Sequence, residues 1–340
     1  MLAIDADTPL WNGLPFTGPG EARGPVFLLP SMRYIAGHPQ DWAAAPLGLN
    51  DVVSTMSRRT DPQHFLDTLL PVVRQCAEAS LIFFGKVADL GKTTDRSLRG
   101  AEAQHASGVL TALDTAFQDI ILTTVLHHFP KIGCIAEEDT PLRRRFSANR
   151  NADNVLILDP IDGTLHFQRG DAPYHISVGL THRGVMQAAL VARPNEGKVF
   201  TALRGKGAYV QVGSKRPRRL RLPRTPRTDR AFISTKARVY QDIARPRLDP
   251  REYPIGAALV LTLLAEGELC AYLTRQVEVY DVGPPSLIAE EAGVRCFLKG
   301  GRTPLYTRRR KFAHYMAAAT PELEAFLHDV VRTGDGRGRT

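Results

Sequence analysis

Several groups that can bind a metal ion or a phosphate lie close together in one heptapeptide, residues 158–164 (LDPIDGT). The apolar run 155–158 predicts a buried strand, and open sheets bind ligands at the carboxyl ends of their strands. Carboxylate and carbonyl oxygens suit Mg²⁺, while backbone amides at a turn suit a phosphate. The candidates are Asp159, the Ile161 carbonyl, Asp162, Gly163 and Thr164. An Asp-Gly turn that caps a strand is the alternative interpretation of this heptapeptide alone.

Four further acids stand near the ends of apolar segments elsewhere in the chain: Asp114, Glu137, Glu138 and Asp281. Each acid alone has a simpler interpretation as a surface residue or a helix N-cap. A metal site that receives a phosphate ester needs several oxygen ligands, so the set is more informative than any of its members.

The apolar pattern predicts the elements that would position these acids. Helical spacing predicts a helix over residues 64–86, with Asp61 as its N-cap and Pro62 at the first helical position. The other predicted helices cover residues 114–128, 256–266, 321–331 and the segment that follows Asp281 and ends at Ala292. The predicted strands cover residues 132–136, 155–158, 176–180, 185–191, 198–202, 208–212, 271–273 and 295–298, and residues 232–234 would begin a second unit.

This succession of elements predicts four segments. Residues 1–60, rich in proline and glycine, would form an irregular N-terminal extension. Residues 61–226 would form an α+β domain that carries most of the metal site. Residues 227–322 would form an α/β domain that contributes the last acid, and the basic stretch 213–230 would link the two. Residues 323–340 would hold the end of the terminal helix and a disordered tail.

Composition favours a globular enzyme in a reducing compartment. The 340 residues are 43% hydrophobic, and no apolar run approaches the roughly 20 residues that cross a bilayer. The N-terminus lacks the regions of a secretory signal and the four cysteines form no CxxC pair, so we expect a cytoplasmic protein. The net charge of +9 is concentrated in residues 215–230 and after Thr303. No aromatic residues alternate with these arginines, so a solvated loop is preferred and nucleic acid is not an expected partner.

The heptapeptide and its surroundings resemble the inositol monophosphatase superfamily. Residues 159–164, with Phe167 three residues on, match the DP[IL]DGTxxF motif of that family. Further motifs agree in order and spacing over most of residues 65–300. They are Thr111 and Asp114 (T-x-x-D), Glu137-Glu138 after Ala136 (G-E-E), residues 204–208 (G-K-G-A), and Tyr280-Asp281 with residues 291–293 (W-D and E-A-G-G).

The resemblance implies a fold, an activity and a cofactor. The fold would be α/β (α+β), a layered αβαβα sandwich of the inositol monophosphatase and fructose bisphosphatase type. The activity would be hydrolysis of a small phosphate monoester with two or three Mg²⁺ per site. Homodimers are common in the family, so a homodimer is a candidate assembly, and no membrane partner is expected.

The resemblance also implies a role for each site residue. The first ion would be held by Glu137, Asp159 and the Ile161 carbonyl, and the second by Asp159, Asp162 and Asp281. Glu138 would support these ligands or hold a weaker ion. Thr164 and Asp114 would orient and deprotonate the attacking water, and Gly163 and Thr164 would contact the phosphate.

Departures from the family pattern concern the substrate. Inositol-specific members carry a glutamate seven residues before the metal aspartate, where this chain has Thr274, with Arg275 next to it. Arg275 would favour a second phosphate, with a surface arginine as the alternative. Pro284-Pro285 would enter the first turn of the helix after Asp281, where proline is tolerated. Lys86 and Lys92 are both candidates for the lysine of the catalytic loop.

Three hypotheses for the function follow. The first is a sugar or polyol monophosphatase, with inositol phosphate included. The second is a phosphatase for 3′-phosphoadenosine-5′-phosphate or another bisphosphate. The third, of another class, is an inactive basic binding protein, which the complete set of metal carboxylates disfavours.

Overall fold

The computed structural model describes residues 60–90, 111–149, 151–234, 237–251, 256–308 and 311–337. All of them belong to one compact unit, residues 55–340. The predicted N-terminal extension lies outside the described residues except for Thr60, and so does Lys92. No helix of the described ranges is long and apolar enough to cross a bilayer. The predicted domain boundary between residues 226 and 227 remains a prediction.

The described residues form seven α-helices and twelve strands. The helices are α1 (Pro62–Phe83), α2 (Ala112–His128), α3 (Thr164–Arg169), α4 (Arg238–Ala244), α5 (Ala257–Glu266), α6 (Val279–Ala292) and α7 (Pro321–Arg337). The strands are β1 (Gly133–Ala136), β2 (Asn154–Asp162), β3 (His175–His182), β4 (Val185–Arg193), β5 (Lys198–Leu203), β6 (Gly207–Val212), β7 (Arg218–Leu220), β8 (Arg230–Ile233), β9 (Asp249–Arg251), β10 (Ala271–Glu278), β11 (Arg295–Leu298) and β12 (Lys311–Ala318).

The strands form two sheets. The first has seven strands in the order β1-β2-β3-β4-β5-β6-β7, with β1 parallel to β2 and the remaining pairs antiparallel. The second has five strands in the order β11-β12-β10-β8-β9. Strand β7 lies within the basic stretch 213–230, so part of that stretch extends the first sheet instead of only linking two domains.

Three hydrophobic clusters define the layers. One packs α1 and α2 against one face of the first sheet. The second packs α5 and α6 between the two sheets. The third packs α4 and α7 on the outer face of the second sheet. This α/β/α/β/α order confirms the predicted fold class.

The start of α1 follows the predicted N-cap. The Asp61 carboxylate accepts a hydrogen bond of 3.0 Å from the Gln63 amide, and Pro62 is in the first turn. Proline is tolerated at this position because its missing N–H would have no partner inside the helix. The sequence therefore located this helix start correctly.

The start of α6 differs from the prediction. The helix begins at Val279, two residues before Asp281, so Asp281 lies in its first turn and Pro284 and Pro285 lie in its interior. Prolines at these positions remove two helical donors, which normally destabilises a helix. Here α6 is buried between two sheets: a Cβ atom on Gly179 of β3 would lie only 3.1 Å from Pro284 Cγ. Tertiary packing therefore holds the helix through its prolines.

Strand β2 and helix α7 are also longer than predicted. Strand β2 continues from Leu158 through Asp162, with a register shift against β3 between Asp159 and Asp162. Helix α7 runs to Arg337, six residues past the predicted end at Val331, and only residues 338–340 of the predicted tail lie outside the described chain.

Candidate metal and phosphate site

The two aspartates of the heptapeptide lie at the irregular end of β2. Asp159 is 1% exposed, and its Oδ1 atom has no hydrogen-bond partner in the described part of the chain. Its cross-strand partner is Ser177, whose buried hydroxyl likewise has no such partner. Buried polar atoms are nearly always satisfied, so this pair indicates that a ligand or an ion belongs here.

Two acids from other elements approach the same point. Glu137 follows β1, and its amide donates to the Leu158 carbonyl at 3.1 Å, which places it beside the end of β2. The Glu137 carboxylate is close enough to Asp159 for its charge to raise the pKa of Asp159, after the larger effect of burial. Asp281 comes from the first turn of α6, where its carboxylate accepts from the Glu278 amide. The structure therefore brings together the acids that the sequence spreads over about 145 residues.

The electrostatics of the cluster favour a bound cation. Burial, followed by the charges of Glu137, Asp162 and Asp281, raises the pKa of Asp159 well above its ordinary value. Burial also raises the pKa of Asp162 to about 7, against the opposing effect of a hydrogen bond from the Ala258 amide. Carboxylates that resist ionisation next to each other become stable as anions when a divalent cation neutralises them.

These residues fit divalent metal ions. The donors are hard oxygen atoms, which Mg²⁺ prefers. One of them, Asp159 Oδ1, is buried without a hydrogen-bond partner in the described residues. Within the described ranges no three His, Cys, Asp or Glu side chains already converge closely enough to enclose an ion by themselves. Mg²⁺ usually keeps several waters and shares the oxygens of its substrate, so it does not need a complete protein cage.

Asp162 is held by the N-terminus of α5. The Ala258 amide donates to Asp162 Oδ2 at 2.8 Å. Gly256 is the N-cap of this ten-residue helix, and a Cβ atom there would lie 2.3 Å from both oxygens of Asp162. Glycine is therefore required at residue 256 for close approach of the carboxylate to the helix.

We expect Gly256→Ala to lower phosphatase turnover by about 10²-fold, because a displacement of about 1 Å in a catalytic group can have that effect. Gly336→Ala in α7 is the matched control, since nothing lies within 4 Å of a Cβ atom at that position. Steady-state kinetics of the two variants provide the measurement. Equal activity in both variants would contradict the close contact with Asp162.

Thr164 and Asp114 form a hydrogen-bonded pair beside the cluster. The Thr164 hydroxyl lies 3.1 Å from Asp114 Oδ1 and 2.9 Å from the Ile161 carbonyl. Thr111 donates to Asp114 Oδ2 through both its amide and its hydroxyl, at 2.8 and 2.6 Å. The hydroxyl of Thr164 has one proton and two acceptors. If the Ile161 carbonyl bound a metal, Asp114 would be left as the acceptor.

Burial raises the pKa of Asp114 to about 7, and the charges of Glu137 and Glu138 act in the same direction. The two hydrogen bonds from Thr111 oppose the rise. The side chain of Glu138 is itself buried, and its backbone is held by Gln118 through bonds of 2.8 and 2.9 Å. A carboxyl with a pKa near neutrality is suited to accept a proton at physiological pH.

Thr274 and Arg275, the two residues predicted to contact the substrate, lie on different sides of the second sheet. Thr274 is buried and its hydroxyl is 2.8 Å from the Ser234 hydroxyl. Burial raises the pKa of Tyr272, two residues earlier on the same face of the strand, and the nearby charges of Asp281 and Asp162 raise it further. Thr274 therefore lies on the side of β10 that faces the carboxylates.

Arg275 lies on the other face of the second sheet. Its guanidinium carbon is 5.9 Å from the centre of the Tyr240 ring, in the cluster that includes α4 and α7. Successive residues of a strand point to opposite faces, so Thr274 and Arg275 cannot both face the site. These contacts give no support to the prediction that Arg275 binds a second phosphate.

One group at the site was missed in the sequence, and the roles of two others stay predictions. Gly163 is the N-cap of α3 with φ of +93°, which agrees with the predicted tight turn, while its contact with phosphate remains a prediction. The Ala258 amide was missed because every non-proline residue carries such a donor. The small residues at the start of α5 are the signal that could have indicated it. Lys86 is exposed, and no contact assigns it to the site.

A solved structure has the same fold. The structure titled Thermotoga maritima IMPase superposes with a TM-score of 0.65 and 18% identity, over 81% of this chain and 99% of that one. The chain therefore falls in the class of layered α/β/α/β/α folds.

Sequence comparison identifies the family. Residues 69–332 match the Inositol monophosphatase family, and the chain belongs to it. Inositol monophosphatase 1 of Bos taurus is 29% identical over 215 residues, which cover 59% of this chain and 75% of that protein. Nus factor SuhB of Pasteurella multocida is 25% identical over 237 residues, which cover 65% and 82%. The protein is therefore a phosphoric monoester hydrolase.

Proposed function

We propose that this protein hydrolyses a small sugar or polyol monophosphate in a reaction that depends on Mg²⁺. The observation that carries the proposal is the convergence of Glu137, Asp162 and Asp281 on Asp159, whose buried Oδ1 atom has no protein partner in the described chain. Glu137, Asp159 and the Ile161 carbonyl would hold one ion, and Asp159, Asp162 and Asp281 another. Such ions lower the pKa of bound water and stabilise charge on the phosphate oxygens.

The residues of the chain supply the proton path. Thr164 would donate its hydroxyl proton to Asp114 while its oxygen orients and deprotonates the attacking water. Asp114 is ready for this step, because Thr111 fixes Oδ2 and leaves Oδ1 to face Thr164. Gly163 permits the turn that brings the Thr164 amide toward the phosphate. No covalent enzyme intermediate is needed for this proton transfer.

The surroundings of Thr274 favour a neutral polyol over a bisphosphate. On this side of β10 lie the hydroxyls of Ser234, Thr274 and Tyr272, and neutral hydroxyls suit a sugar better than a second phosphate. The alternative of a bisphosphate such as 3′-phosphoadenosine-5′-phosphate was favoured by Arg275 and by the basic charge of the chain, and the contacts of Arg275 lie on the opposite face of the sheet. A cytoplasmic location and a homodimer stay predictions.

A panel of substrates tests the proposal. Purified protein would be assayed for phosphate release from inositol 1-phosphate, glycerol 2-phosphate and 3′-phosphoadenosine-5′-phosphate, with Mg²⁺ and with a chelator. We expect release that requires Mg²⁺ and is faster for the two polyol esters. Preference for the nucleotide would favour the bisphosphate alternative. No release from any ester, together with salt-sensitive RNA binding, would favour the basic binding protein.

A further inference from the structure

Arg193, the last residue of β4, is the largest fully buried side chain in the described chain, with 1% exposure. Arginine is rarely buried to this extent. Its three nitrogens each have a partner: Nε donates to His175 Nε2 at 3.2 Å, Nη1 to Glu196 Oε2 at 2.9 Å and Nη2 to Thr262 Oγ1 at 2.6 Å. Glu266 Oε2 forms an ion pair with Nη2 at 3.2 Å without hydrogen-bond geometry.

The charges around Arg193 balance. Lys198 contacts both Glu196 and Glu266, at 2.7 and 2.8 Å, so two cations meet two carboxylates. A neutral, partly buried ion network of this kind adds little net stability compared with well-packed apolar residues. Stability alone therefore does not account for a buried guanidinium at this place, and its contacts indicate another role.

One contact of Arg193 leads to Asp162 through β3. Burial and then the Arg193 charge hold the pKa of His175 well below its ordinary value, so the ring is neutral and Nε2 accepts the hydrogen bond. His175 is the cross-strand partner of Asp162 in the register of β2 with β3. The guanidinium thus fixes the strand residue directly opposite the carboxylate.

The other contact leads to Asp162 through α5. The Thr262 hydroxyl that accepts from Arg193 donates to the Ala258 carbonyl at 2.8 Å, with the Leu259 carbonyl at 3.0 Å. The amide of the same Ala258 donates to Asp162 Oδ2 at 2.8 Å. Arg193 therefore touches both elements between which Asp162 is held.

We propose that Arg193 is a positioning residue that ties β3 to α5 behind Asp162 and thereby sets the affinity of the site for divalent cations. The inference rests on the proposed function, because it assumes that Asp162 is a metal ligand. Partners that orient ligand carboxylates typically change metal affinity by about 10–100-fold when they are removed. Lysine cannot replace arginine here, since one ammonium group does not span His175 and Thr262 as a planar fork does.

The experiment measures Mn²⁺ binding to the full chain by electron paramagnetic resonance, with Mn²⁺ as a probe for Mg²⁺. The variants are Arg193→Met, Arg193→Lys and the nearly isosteric Thr262→Val. Lys198→Met is the matched control, because it removes the other cation of the network without touching His175 or Thr262. We expect dissociation constants to rise about 10–100-fold for both Arg193 variants, to rise less for Thr262→Val, and to stay near wild type for Lys198→Met.

A second readout separates positioning from a general structural role. The Mg²⁺ concentration for half-maximal turnover should rise in the Arg193 variants, while turnover at saturating Mg²⁺ recovers to near wild type. Wild-type affinity in Arg193→Met, or an equal loss in Lys198→Met, would overturn the inference alone. If Arg193→Met fails to fold, unchanged affinity in Thr262→Val overturns it instead. Absence of Mn²⁺ binding by the wild-type protein would overturn the proposed function and this inference together.

Discussion

Replacing Asp159 with asparagine is expected to lower phosphatase turnover by about 10³-fold, because metal ions contribute several kcal/mol of charge stabilisation in such reactions. The same change should raise the melting temperature of the metal-free protein. Burial and three neighbouring carboxylates make the Asp159 anion unfavourable, and the amide of asparagine removes that charge at nearly constant volume.

The opposite signs of these two effects make the test specific. Turnover is measured with saturating Mg²⁺, and melting is followed in chelator and again in Mg²⁺, where the stabilising effect of the ion should be largely lost. Asp242→Asn in α4 serves as the control, since this aspartate is 79% exposed and only loosely paired with Arg245. Full activity in Asp159→Asn would refute the proposed metal chemistry. A metal-free variant less stable than wild type would refute the repulsion among the carboxylates.

Replacing Asp114 with asparagine is expected to reduce turnover by about 10²–10⁴-fold, the usual contribution of a general base. In the wild-type protein kcat/KM should rise with pH through the pKa of Asp114, which burial raises above its ordinary value, since Asp114 accepts a proton only when it is ionised. The pH profile of kcat/KM provides the measurement. Thr164→Val, which removes the donor and leaves the base, should reduce turnover in the same way.

Asp114 also predicts how the stability of the metal-free protein depends on pH. Its pKa is 3.8 ordinarily and about 7 in the folded protein, so between these values the folded state binds more protons than the unfolded state. Stability should therefore fall as pH rises from about 4 to about 7, by about 4 kcal/mol from this carboxyl. Denaturant unfolding at several pH values checks the fall. Asp114→Asn should make it smaller by the Asp114 contribution, while the raised pKa values of Asp159 and Asp162 maintain the rest. A wild-type stability that rises over this range would contradict the effect of burial.

The site was predictable where its chemistry resides in adjacent residues. The heptapeptide carries Asp159, Asp162 and Thr164 in a fixed short spacing, and an apolar strand before it is enough to bury them. The resemblance of separate motifs then indicated Glu137 and Asp281, which local pattern alone leaves as ordinary surface acids. The structure brings all of these acids to one place.

The differences between prediction and structure arose where the length of an element decides which way its side chains point. The sequence predicted a strand ending at Leu273, which left Thr274 and Arg275 in a loop where both could face the substrate. Because β10 continues to Glu278, these neighbours point to opposite faces. Likewise, Pro284-Pro285 indicated a helix start, but packing against the first sheet permits prolines inside α6. The local spacing of residues predicts neither the length of β10 nor the prolines inside α6, since both depend on contacts between layers.

The middle layer has a consequence for how the protein responds to its surroundings. Helix α6 carries Asp281 and helix α5 grips Asp162, whereas Asp159 and Glu137 belong to the first sheet and its connections. An ion bound by these groups would link the inner helices to that sheet. A chelator would then weaken the interface between the inner helices and the first sheet, while the outer layers stay folded. Both the activity of the site and the packing of the inner helices against the first sheet would then depend on the concentration of free metal.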